Sequence, residues 1–81
     1  MNDKYINLNK LPIGAIGKVK KVTSSGNTRR RMLDLGLINN TIVKSLRKSP
    51  LGDPIAYEIR GAVIALRSEE STHIYVERIE N

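Results

Sequence analysis

Eighty-one residues leave room for one hydrophobic core and no second. There is no cysteine, which excludes disulfide frameworks, thiolate nucleophiles and zinc ribbons. The net charge of +6 is uneven, because residues 1–48 hold 11 Lys/Arg against 2 acids and residues 49–81 hold 3 against 6. A basic chain invites nucleic-acid or membrane-surface readings. The cations are scattered, however, and lack stacking aromatics, so a solvated surface whose halves neutralise each other is the favoured reading and nucleic acid the disfavoured one.

Residues 1–9 are polar where a signal peptide needs an apolar run, and the longest apolar run, residues 62–66, is far short of the roughly 20 that span a bilayer. A soluble, cytoplasmic protein is expected. Residues 1–10, with isolated apolar side chains at Tyr5, Ile6 and Leu8, fit a frayed end or a short edge strand. Leu11-Pro12-Ile13-Gly14 reads as a turn. The first full strand covers about residues 15–22, where Ile16, Val19 and Val22 fall three apart and Gly17 suggests a bulge.

Thr23 to Asn27 form a loop, and its Ser24-Ser25-Gly26-Asn27 run could cradle an anion at a helix start. The spacing then turns helical over residues 28–37, with Asn27 or Thr28 as cap and Gly36 as stop. At about 100° per residue, Met32, Leu33 and Leu35 share an apolar face and Arg30 and Asp34 the opposite one. Two turns do not hold alone in water, so that face should be buried against a small sheet. Three arginines at the helix start oppose its dipole, which demands an acid elsewhere in the fold or a partner. Arg29 should lay its stem on the core and pair internally; for Arg30 a pairing with Asp34 and a partner contact stand even.

Asn40 suits a left-handed turn position before a strand over residues 41–48. Ser49-Pro50-Leu51-Gly52-Asp53-Pro54 is a compact turn with Leu51 at its tip. Residues 55–60 form a strand with Ile55, Tyr57 and Ile59 inward. The near-continuous apolar run over 62–67 reads as a buried strand. Residues 68–72 suit one helical turn capped by Ser68, and residues 73–80 a last strand with Ile74 and Val76 on one face. Five short strands joined by tight turns, with one helix inserted after the first, point to a small barrel or sandwich. Closure would avoid exposed edges and set the acidic last strand beside the basic first one.

No catalytic or cofactor site is legible. His73 is the one histidine, without ligand spacing around it, and reads as a surface side chain. No Walker pattern or nucleophile signature is present. The three tyrosines do not make a polyproline groove.

Three stretches carry a family resemblance. Arg31-Met32-Leu33-Asp34-Leu35-Gly36-Leu37 is similar to the Arg-Leu-Leu-x-Leu-Gly-Leu helix of the FeoA family, small proteins of bacterial ferrous iron uptake. The 49–54 turn is similar to its Ala-Pro-Leu-Gly-Asp-Pro. Ala65-Leu66-Arg67-x-x-Glu70 followed by Ile74-x-Val76 resembles its ending, and Gly14, Gly17 and Val19 its opening strand. The matches keep the family's order over about residues 8–79. Asn39-Asn40 departs from the usual Pro-Gly, and Ser71 from the common Ala.

The resemblance implies one SH3-like domain over residues 1–81, a mainly β barrel of five strands with a short helix. It implies a non-enzymatic cytoplasmic accessory of the ferrous iron transporter FeoB, a membrane protein with a cytoplasmic GTP-binding domain, and a place at the membrane only through that partner. Related domains at the C-terminus of DtxR-type metal-dependent repressors imply the alternative of a repressor-associated or nucleic-acid-binding basic module. The family is commonly described as metal-associated, so an iron carrier is a third reading, although no metal-ligand set is evident here. Self-association stays open. Arg30, Leu51 and Asp53 are the expected partner contacts.

Overall fold

A computed structural model describes residues 4–79. Strand β1 (Tyr5–Asn7) leads through a 3-10 turn (Leu8–Lys10) to β2 (Ile16–Val22) and helix α1 (Gly26–Asp34). Strands β3 (Ile42–Lys48), β4 (Ile55–Ile59) and β5 (Ala62–Leu66) follow, then the single turn α2 (Ser68–Ser71) and β6 (Ile74–Ile79). Glu80, placed in the last strand by the sequence pattern, lies outside the described residues.

All pairings are antiparallel, in the order β1-β6-β2-β3-β4-β5. The expected five strands are present, and a sixth is added where a short edge strand was one of two options: Tyr5 sits opposite Glu77 and Ile6 opposite Val76. The last strand does lie beside the first long one, with Lys18 opposite Glu77. The expected closure is not made by strand pairing. β1 and β5 stand at the two ends of the order, and three-residue β1 is too short to bridge them. The curled sheet instead wraps a core that the 3-10 turn helps fill. Leu8 and Leu11 are buried there with Val19, Val43, Ile59, Leu66, Ile74 and Val76. The phenol of Tyr57, also fully buried, donates to the Leu8 carbonyl at 3.4 Å.

Two strand readings change. The bulge in β2 falls between Val19 and Lys21, not at Gly17. It explains the spacing of three: Ile16 points outward, Val19 inward, and the extra residue returns Val22 to the core side. Gly17 serves close packing, because a Cβ there would lie 3.1 Å from Val76 Cβ and Cγ2. The run of residues 62–67 is not buried. β5 is an edge strand whose Ala62, Val63 and Ala65 are exposed, and only Leu66 is fully inside. Small apolar residues on an edge copy the composition of a central strand without its environment.

Helix α1 starts earlier and stops earlier than its apolar pattern suggested, with Ser25 rather than Asn27 or Thr28 preceding it. Its end is as Gly36 predicted. The Leu37 N–H reaches the Met32 carbonyl (3.0 Å), the Gly36 N–H reaches that of Leu33 (2.9 Å), and Gly36 has φ +95°. Met32 and Leu37, which this cap brings together, are both fully buried. Leu35 is half-buried against the core. Leu33, expected on the buried face, is exposed, because the helix meets the core through one side chain, Met32, rather than a broad face.

Candidate functional site

The β3–β4 turn is braced from within. Ser49 donates its backbone N–H to the Pro54 carbonyl (3.1 Å) and its hydroxyl to the Asp53 carbonyl (2.7 Å), while the Gly52 N–H reaches the Ser49 carbonyl (2.8 Å). At φ +89°, Gly52 takes the turn conformation that glycine allows without strain. The tip of this rigid loop is Leu51, 96 % exposed. An apolar side chain held out by an ordered backbone is a low-entropy contact for another protein. Asp53 turns the other way. Its Oδ1 accepts from the Ser68 N–H (2.9 Å) and the Ser68 hydroxyl (3.0 Å), and its Oδ2 lies 3.7 Å from Arg67. Ser68, expected as the cap of α2, is instead its first residue, with Arg67 in the cap position, and is itself held by Asp53. The two candidate residues of the turn thus have different jobs.

The three arginines of α1 also separate. Arg29 donates to the Val22 carbonyl at 2.8 Å, an internal pairing as expected. Arg31 pairs with Glu70 of α2. The expected conflict of the arginines with the helix dipole does not arise, because α1 begins at Gly26 and Arg31 lies in its last turn, where a cation suits the dipole. Among the described residues Arg30 makes no ion pair with Asp34, and its side chain is exposed.

Between the start of α1 and the base of the turn lies a cleft of about 700 Å³, bordered by Thr28, Arg31, Pro54, Ala65 and Arg67. Its charges are largely matched in pairs, Arg31 with Glu70 and Arg67 with Asp53. His73 stands exposed at its rim, Nδ1 3.5 Å from the Thr23 hydroxyl. Arg31 rather than Arg30 faces this cleft, which the helical wheel did not single out. Among the described residues no three His, Asp or Glu side chains come together as metal ligands would, and no helix is long and apolar enough to cross a membrane.

The family model described as the FeoA domain matches residues 6–78. The chain belongs to the FeoA family. Its FeoA domain is 30 % identical over 74 residues to a Fe(2+) transport protein A/Fe(2+) transporter FeoB fusion protein of Porphyromonas gingivalis. That match covers 91 % of this chain but only 9 % of the fusion protein. A FeoA-like protein of Clostridium acetobutylicum superposes with a TM-score of 0.88 at 34 % identity, covering all of this chain and 93 % of that one. FeoA of Stenotrophomonas maltophilia, solved complexed with zinc and described as a procaryotic SH3 domain protein, matches with a TM-score of 0.77 at 26 % identity over 86 % of this chain and 87 % of that one. The fold of this chain is therefore SH3-like, with its sheet open between β1 and β5. The family is associated with ferrous iron transport.

Proposed function

We propose that this protein is a non-enzymatic, cytoplasmic accessory domain that docks on the FeoB transporter and supports or regulates ferrous iron uptake. The observation that carries the reading is the relative in which a FeoA domain and FeoB share one chain. Fusion puts the two at high effective concentration, which separate chains must replace by affinity. Leu51 is the contact the geometry favours, with Arg30 as a cation in no ion pair that is free to meet the partner. Asp53 contributes by holding the turn, through Ser68, in the shape that presents Leu51.

Leu51→Asp tests this. At 96 % exposure the change should alter stability by no more than about 0.5 kcal/mol. Titration of the purified cytoplasmic part of FeoB should show binding by the unaltered protein and its loss in the variant. Equal binding by both removes Leu51 from the interface; no binding by either removes the transporter reading.

A further inference from the structure

Three clefts run into one another along the side of the molecule away from the Leu51 turn. The first, about 330 Å³, is lined by Leu33 and Ile38 among others. The second, about 370 Å³, shares Ile38 and adds Ile42. A third, about 320 Å³, shares Ile42 and adds Ile16. Leu33, Ile38 and Ile42 are 39, 44 and 47 % exposed, so a file of apolar side chains runs along a groove from α1 across the start of β3 to the outer face of β2. Scattered surface apolar residues need no account, but a continuous file in a concavity does.

The lining of that groove is also basic. Lys20, Lys21 and Arg29 border its first part, and Lys44 and Arg60 its last, with Glu58 the one acid among the described lining residues. None of the five cations is in an ion pair among the described residues. Arg60 carries a further mark. It sits in the β4–β5 turn with φ +52°, a left-handed conformation that a long side chain adopts at a cost. Strain of that kind, kept beside a groove, points to use of the side chain.

We propose that this groove receives an acidic protein segment with an apolar face, a helix-in-groove contact. On the reading given above, that segment belongs to the transporter. A second copy of this chain is disfavoured, since its own groove would bring like charges together. A bilayer fits less well than a protein segment: the isoleucines line hollows, whereas Leu51, the side chain that projects, stands beyond the other end of β3.

The test is an NMR titration of the 15N-labelled protein with the cytoplasmic part of FeoB. Shifts should appear on the amides of Leu33, Ile38, Ile42 and Arg60 as well as in the Leu51 turn. Ile42→Asp, and separately Lys20→Glu with Lys21→Glu, should each weaken binding at least about tenfold, and added salt should weaken it further. The lysine variant leaves the apolar residues intact and keeps the test valid if Ile42→Asp folds poorly. Binding with shifts confined to the Leu51 turn, and full affinity in both variants, overturns the groove and leaves the transporter reading standing. No binding at all overturns both. Sedimentation with phosphatidylglycerol-containing vesicles that is lost in Ile42→Asp would assign the groove to a membrane and also overturn the proposal.

Discussion

Asp53 ties the β3–β4 turn to the start of α2 by accepting two hydrogen bonds from Ser68, one from its backbone and one from its hydroxyl. The N–H of a first helical residue has no partner within its own helix, so the carboxylate meets a need that α2 cannot meet itself. Asp53→Ala should cost about 1–2 kcal/mol in chemical denaturation. Asp53→Asn keeps an acceptor at Oδ1. It should recover most of that stability and, because Leu51 is then still presented, most of the transporter affinity. A loss of affinity in the Asn variant with stability retained would show that the charge itself meets the partner.

Gly17 lies opposite Arg78 in the β2–β6 pair, and a Cβ there would stand 3.1 Å from the side chain of Val76 and 3.4 Å from Leu11 Cδ2. Val76 is fully buried and has no free direction in which to move. Gly17→Ala should therefore overpack the core and destabilise by about 1–3 kcal/mol, read as a lower denaturant midpoint. An unchanged midpoint would mean that the sheet relaxes at this point.

Burial raises the pKa of Tyr57 above its ordinary 10.0; Asp53 adds to the rise, and a hydrogen bond with Ser71 opposes it. An acid with a raised folded-state pKa favours folding fully below its unfolded-state value and progressively less as pH climbs past it. Stability should thus be insensitive to Tyr57 up to about pH 10 and fall above it. Tyr57→Phe should flatten that alkaline limb, at a cost near neutrality of about 0.5–1.5 kcal/mol for the lost bond to the Leu8 carbonyl. Unfolding curves taken from pH 8 to 11.5 compare the two proteins, and parallel alkaline limbs would exclude this assignment.

Much of the fold was legible because local signals agreed with it. Gly36 ended α1, the alternation of Ile55, Tyr57 and Ile59 named the inward face of β4, and Asn40 took a positive φ of 75°. The errors share a cause. Apolar composition predicts burial of Leu33 and of β5, but whether an apolar side chain is covered depends on what packs over it, and that is set by topology. The edge position of β5 exposes Val63, and the slender contact of α1 exposes Leu33. The turn at residues 49–54 was visible as a unit, while the division of labour inside it was not, since the partner of Asp53 lies 15 residues away. The groove along Leu33, Ile38, Ile42 and Ile16 was hidden for the same reason: its members come from three elements and a loop.

Arg60 offers the sharpest separation of stability from binding. Arg60 and Gly61 form the two-residue link between paired Ile59 and Ala62, and both have positive φ, the turn type that favours Asn-Gly. Arg60→Asn should relieve about 1 kcal/mol of backbone strain. Part of that gain is offset, because the Arg60 stem lies against Gly36 and leaves it uncovered when removed. The melting temperature should accordingly hold steady or rise. Affinity for an acidic partner should fall several-fold, since the groove loses a rim cation. A clear drop in melting temperature with unchanged affinity would mean that Arg60 is kept to cover the end of α1, and would take the strained turn out of the case for the groove.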